Sequence, residues 1–239
     1  MNALFNTEIK VHFENDTDIQ TDECLNDMFV VSREIEKLVG KEKKWFFAGY
    51  SKKDALKSIA FDNNGPTENA INIVSRHYKK NKPLINESIW DGGKEGESCS
   101  ISHYMMFILN PRKGMLVIGT DEKVESIEKM ISMVMFLACT RAKSYITVDS
   151  KGYRLKGESV FPDRIYVGWM LYIPHIVLPH LLPQAAKVIP VIDGEEQKGT
   201  IVVSTEDIFD GSNKEHIGKA NDLEIRLLDL GLLPLITEL

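Results

Sequence analysis

Apolar residues recur along this chain in two periods, and the two alternate from segment to segment. Over residues 8–13, Ile9, Val11 and Phe13 alternate with polar neighbours, the period of a strand with one buried face. Over 22–39, Leu25, Met28, Phe29, Ser32, Ile35, Leu38 and Val39 fall at helical spacing, with Thr21 as a start signal and Gly40 as a stop. Trp45, Phe46 and Phe47 predict a strand within 44–49. Ser51 followed by Asp54 predicts a capped short helix carrying Ala55, Leu56 and Ile59. Asn63-Asn64-Gly65-Pro66 is turn chemistry, and Ala70, Ile71, Val74 and Tyr78 line one side of a helix over 67–80.

The middle of the chain reads as hairpins. A short strand over 88–91 precedes the glycine-rich turn 92–96. A long strand candidate spans 98–109, a turn is predicted at Asn110-Pro111-Arg112-Lys113-Gly114, and 115–119 returns. Asp121 is placed to cap a helix reaching Arg141, whose broad stripe of Val124, Ile127, Ile131, Val134, Met135 and Ala138 predicts burial. Strands follow at 145–148 and 166–173. In the second, neither Val167, Trp169 and Leu171 nor Gly168, Met170 and Tyr172 form a polar side, so it reads as a central strand covered on both faces. Pro174, Pro179 and Pro183 forbid a long helix. A hairpin over 188–204, turning at 193–198, and a helix over 214–230 stopped by Gly231 close the chain. Hairpin signals dominate the interleaved elements. The pattern predicts an α+β fold with a mixed, mainly antiparallel sheet, helices packed on it, and residues 1–239 as a single compact unit.

Composition narrows the class. With 43% hydrophobic and 27% charged residues in 239, a core forms without disulfides or metals. Cys24, Cys99 and Cys139 make no paired motif, which suits a reducing compartment. The first 24 residues are acidic and lack an apolar segment, and the longest apolar run is far below the roughly 20 residues of a membrane span. A cytoplasmic protein is expected, with no membrane contact. The net charge of −6 is uneven: residues 1–40 carry −6, 41–82 carry +6, and 83–140 and 141–239 carry −3 each. An acidic chain is a poor general binder of nucleic acid and a good match for a basic protein partner.

Known chemistries find little purchase. His175 and His180 are five apart across Pro179, with no Cys or acidic ligand beside them, so no metal and no cofactor is expected. Cys99 and His103 on one strand stand about 13 Å apart, too far for a nucleophile and its base. There is no nucleophile elbow, phosphate loop or dinucleotide fingerprint. The adjacent acids Asp121-Glu122, Glu195-Glu196 and Glu206-Asp207 fall in caps and loop tips. The lysines of 41–57, mixed with Trp45, Phe46, Phe47 and Tyr50, have the makings of a single-strand nucleic-acid platform. Core aromatics and solvated lysines explain them better, because the bases cluster at element ends.

Four segments together resemble a known family. Trp45-Phe46-Phe47-Ala48-Gly49-Tyr50-Ser51-Lys52-Lys53-Asp54-Ala55-Leu56 resembles its aromatic strand and helix start, and Ile89-Trp90-Asp91-Gly92 its short tryptophan element. The stretch from Val167-Gly168-Trp169 to Ile173 resembles its Gly-Trp strand, and Ala220 to Gly231-Leu232-Leu233-Pro234 its closing helix. In order and spacing, over roughly residues 8–236, the chain is similar to the immunity protein 52 family of bacterial polymorphic toxin systems. The lysine-rich end near residue 80 and the proline-rich run 174–183 have no counterpart in that resemblance.

The resemblance implies a non-enzymatic antitoxin. Its partner would be a cognate secreted nuclease toxin, of the kind that type VI secretion delivers, with a restriction-endonuclease-like effector domain. Binding would be stoichiometric, with no direct contact to nucleic acid; the sequence assigns no oligomeric state. No motif carries the binding residues. Exposed acids beside exposed aromatics are the candidates: Trp90, Asp91, Glu95 and Glu97 in the middle turn, Asp193, Glu195 and Glu196 at the late hairpin, and Asp16, Asp18 and Asp22 as a second acidic edge. A small-molecule enzyme, an adaptor with another protein partner and a nucleic-acid binder using 41–82 are the competing readings.

Overall fold

A computed structural model describes residues 6–107, 110–141 and 143–239. In chain order the elements are β1 (Thr7–Glu14), α1 (Thr21–Val39), β2 (Phe46–Phe47), α2 (Lys52–Ala55), α3 (Glu68–Asn81), β3 (Asn86–Trp90), β4 (Cys99–Phe107) and β5 (Asn110–Thr120). They continue with α4 (Ile127–Thr140), β6 (Tyr145–Ser150), β7 (Met170–Ile173), β8 (Lys187–Asp193), β9 (Glu196–Val203) and α5 (Lys214–Asp229). The strands pair antiparallel, with an isolated parallel bridge at Val148–Gly168, so the fold is α+β as the hairpin signals predict. Among the described residues, contacts gather those of 15–123 into one compact unit, and those of 6–14 with 124–239 into another. None of the helices among the described residues is long and apolar enough to cross a membrane.

In the unit 15–123 the strand order is β2-β3-β4-β5. Helix α1 begins at the capping box of Gln20 and Glu23, one residue before the predicted Thr21, and ends at Gly40 in the left-handed region. Thr67 caps α3, and Ser51 caps α2 through the amide of Asp54, the latter as the spacing predicts. The predicted turn at 110–114 is instead the start of β5. Asn110 already pairs with Phe107, and a bulge between Met105 and Phe107 takes up the register. Proline is tolerated there because the first residues of a strand need not donate to the ladder. The last two residues of the predicted strand 98–109 lie outside the described residues.

In the other unit the order is β1-β6-β7-β9-β8. Helix α4 starts at Ser126, whose hydroxyl accepts from the Lys129 amide, and not at Asp121. Leu171, Ile173, Val202, Leu223, Leu227 and Leu233 belong to one apolar cluster that joins the β7–β9 face to α5. Regular strand geometry in the Gly-Trp segment covers only Met170–Ile173, shorter than the predicted 166–173. Gly168 explains the difference. Its φ is +54°, and a Cβ there would stand 2.7 Å from the Val148 carbonyl oxygen. That backbone turns the chain before the ladder begins, a geometry a residue with a side chain rarely adopts. Trp169 is fully buried behind it, its amide donating to the Val148 oxygen.

Candidate functional site

Strict alternation divides the β3–β5 sheet into two unlike faces. On one, Glu87, Ile89, Ile101, His103, Leu116 and Ile118 are buried. Helix α3 reaches this face through His77, whose Nδ1 lies 3.0 Å from the Glu87 carboxylate, and α1 through Asp27, 3.5 Å from His103. Burial raises the pKa of Glu87 and the His77 contact lowers it, with a net rise. The opposite face is a grid of three rows set by the register: Asn86, Tyr104 and Met115, then Ser88, Ser102 and Val117, then Trp90, Ser100 and Gly119. All of these except Gly119 are half-buried or exposed, and none is charged. The Ser88 and Ser102 hydroxyls join across the strands at 2.8 Å.

The loop 91–98 leaves β3 at Trp90 and returns to β4 at Cys99, beside the grid position Ser100. Lys52 Nζ sits 5.5 Å from the centroid of the Trp90 ring. Asp91 points inward. Its side chain is 2% exposed and lies 2.5 Å from Lys43 Nζ, which is itself 8% exposed and also 3.1 Å from Glu122. Lys41 reaches the same Glu122 carboxylate at 2.9 Å. Burial pulls the Lys43 pKa down, but the hydrogen bonds to Asp91 and Glu122 reverse the sign and hold it above the ordinary lysine value. Burial likewise pushes Glu122 up, and the two lysines bring it below the usual carboxylate range. Asp91 Oδ1 also accepts from the Gly93 amide at 2.9 Å. Asp91 is therefore a brace for the loop, while Glu95 and Glu97 stand exposed at its tip.

The other predicted acids sit on two separate turns. Asp193, Glu195 and Glu196 form the exposed tip of the β8–β9 hairpin, where Gly194 takes a φ of +63°. Glu196 is held below its usual pKa by Lys198, 2.7 Å away. Asp16, Asp18 and Asp22 are exposed at the head of α1, where Asp22 also complements the positive end of the helix dipole. The structure thus brings Trp90, Asp91, Glu95 and Glu97 together, and gives the remaining acids to other turns. Tyr104, Met115 and Val117 escaped the sequence reading. The period-two run from Cys99 to Met105, with its serine-rich outer phase, carries the signal for them.

Several ionisable groups in these units are held by neighbours or by burial. Burial pushes the Cys99 thiol up to about 11, so its nucleophilic form is scarce. A cavity of about 510 Å³ in the same unit is lined by Arg33, Lys43, Lys44, Trp45 and Phe61 among others. Of its cations, Arg33 binds Glu36 and the Asp62 carbonyl, and Lys43 is held by the two carboxylates above. In the other unit, Glu224 is fully buried and accepts from Tyr153, Val160 and Val167, a structural clamp from α5 to the Gly-Trp segment. Among the described residues there is no cluster of three or more His, Cys, Asp or Glu side chains able to hold a metal ion.

The model of a family described as Immunity protein 52 matches residues 20–235. This chain belongs to the immunity protein 52 family. No curated protein matches it in sequence. Among solved structures it is similar to one titled Pseudomonas aeruginosa T6SS protein PA0821, with 9% identity and a TM-score of 0.46, over 84% of this chain and 68% of that one. For an immunity protein 52 member, the features to explain are those that hold a protein partner. The 91–98 loop and the sheet face beside it combine an aromatic, exposed acids and uncharged polar groups, the residue types found at protein interfaces.

Proposed function

We propose that this protein neutralises a cognate secreted nuclease toxin by binding it stoichiometrically, without chemistry of its own. The observation that carries the reading is the family match over residues 20–235, which implies a toxin protein as partner. The exposed acids Glu95 and Glu97, with Asp193, Glu195 and Glu196 on the late hairpin, support the choice of a nuclease. A nuclease groove that holds phosphates is basic, and such acids draw it in over a Debye length of about 8 Å at physiological salt. Asp16, Asp18 and Asp22 extend the same acidic character along the head of α1. Asp91 plays the supporting part of fixing the loop.

The test is co-expression with the effector domain of the toxin encoded beside this gene. Growth rescue, a stable complex on gel filtration and a stoichiometric block of plasmid cleavage are expected together. Rescue without any effect on plasmid cleavage would keep the immunity role and discard the nuclease. Absence of both rescue and complex would discard the immunity role itself.

A further inference from the structure

The acidic tips account for attraction at a distance, not for a dry contact. We propose that the open face of the β3–β5 sheet, centred on Ser102 and anchored by Trp90 and Tyr104, is the core of the surface that grips the toxin protein, with the 91–98 loop as its rim. This rests on the immunity reading above, and adds where the toxin sits and what its matching surface is made of.

The face has the composition of an interface core. Its nine grid positions carry no charge in a chain that is 27% charged, and they include Trp90, Tyr104 and Met115. Depletion of charge with enrichment of aromatics and Met is what distinguishes the centre of a protein interface from ordinary surface. A sheet face meant only for water has no reason to exclude lysine and glutamate. The anchors are also held in advance. Trp90 lies under Lys52, and Ser88 is tied to Ser102, so little side-chain freedom is lost on contact.

The same composition selects the occupant. Face-to-face homodimers bury strongly apolar surfaces, whereas Ser88, Ser100, Ser102 and Asn86 make this one partly polar. Serine interleaved with Tyr and Trp is the make-up of surfaces that meet a partner which also exists free. Three strands at about 4.8 Å spacing and five residues at about 3.3 Å rise give a patch of roughly 250 Å². That is about a third of the ~800 Å² a partner contributes to a specific interface. The rim must supply the rest, and the loop bearing Glu95 and Glu97 is continuous with the grid at Trp90 and, through Cys99, at Ser100. The toxin surface that fits is flat and uncharged at its centre, with Arg or Lys set to meet Glu95 and Glu97.

The experiment uses the full chain and the effector domain of the toxin encoded beside its gene. Ser102→Arg sets a long cation at the middle of the grid and is expected to weaken binding at least 100-fold. Ser102→Thr is expected to stay within threefold of the wild type, with both variants unfolding at the wild-type urea midpoint. Should the arginine shift that midpoint, Tyr104→Ala paired with Ser88→Lys takes its place and is expected to weaken binding as much. Wild-type affinity in Ser102→Arg at an unchanged midpoint, or in the folded replacement pair, overturns the proposal. So does a wild-type dimer in sedimentation that Ser102→Arg converts to monomer, since the face would then belong to a second copy. A wild-type chain that binds no toxin removes the immunity reading and this one with it, whereas a loss confined to the variants supports the face.

Discussion

Two strand regions of this protein carry a tryptophan, and they differ in whether the second face of the strand is covered. In the β7–β9 region every residue of β7 is buried, and Trp169 is wholly enclosed. In the β3–β5 region the alternation is clean: one face lies under α1 and α3, while the other holds Trp90, Tyr104 and three serines in reach of solvent. The first tryptophan is a packing element and the second is available to a partner. Residue type alone does not separate the two roles. The number of covered faces does, and substitutions in the two regions are expected to act on different quantities, folding in one and binding in the other.

The largest effect is expected at Gly168. Gly168→Val forces a β-branched residue into a φ of +54° and drives its Cβ into the Val148 carbonyl 2.7 Å away. The left-handed backbone costs roughly 1–2 kcal/mol, and relieving the backbone clash brings the total to about 4 kcal/mol, in the range of the most damaging single changes. Urea unfolding, or failure to accumulate soluble protein, reads it. A Gly168→Val chain with an unchanged midpoint and lost toxin binding would turn the comparison around.

Next comes Asp91, which tests whether the open region also contains structural charge. Asp91→Ala leaves the buried Lys43 ammonium with Glu122 as its remaining carboxylate and frees the Gly93 amide, and is expected to lower stability by about 2 kcal/mol. The double change Asp91→Leu with Lys43→Met is expected to recover part of that loss, because the under-compensated ammonium is gone and Glu122 keeps Lys41. A single variant as stable as the wild type would make Asp91 a surface acid like Glu95.

Acid probes the unit that contains β7–β9, through His12 on β1. Burial holds its pKa down at about 4, against an ordinary value near 6.5, with the nearby Lys10 adding to the effect. Below pH 6.5 the unfolded chain therefore binds a proton that the folded chain refuses. Stability is expected to fall as the pH drops through the window from 6.5 towards 4, by roughly 2 kcal/mol between pH 7.5 and pH 5. Urea titrations of the wild type and of His12→Asn at the two pH values measure it, and an equal acid loss in both chains would assign the effect elsewhere.

Most of the architecture was legible in the sequence because local rules and packing agreed. Gly40, Ser51, Thr67 and Gly231 sit at the helix ends their chemistry demands. Ile9, Val11 and Phe13 are buried in phase. Two of the errors arise from strand pairing, which local residue chemistry does not reveal. Asn110 and Pro111 read as a turn until the register with β4 makes them strand, and Gly168 reads as a strand residue until the Val148 carbonyl is set against it. At the candidate site the exposed acids of the loop were legible, but not the inward turn of Asp91, since its partner Lys43 lies 48 residues away. Tyr104 went unnoticed because an open sheet face shows in sequence only as the polar phase of an alternation, and that phase contains no charge to draw the eye.

The smallest expected effect on folding, and the one that separates rim from core, concerns Glu95 and Glu97. Both are exposed at the tip of a loop whose shape is fixed by Asp91 and Gly93. Reversing both, as Glu95→Lys with Glu97→Lys, is expected to change stability by less than about 0.5 kcal/mol, the usual scale for surface substitutions. In the proposed toxin complex their contribution would be long-range attraction, which acts on encounter more than on residence. The association rate is therefore expected to fall about tenfold at low salt and to lose most of its salt dependence, with the dissociation rate nearly unchanged. Ser102→Arg is expected to do the reverse, raising the dissociation rate at all salt concentrations. Stopped-flow association at two ionic strengths distinguishes the two. If the charge reversal instead accelerates dissociation while Ser102→Arg does not, the acids lie in the contact itself and the sheet face stands outside it.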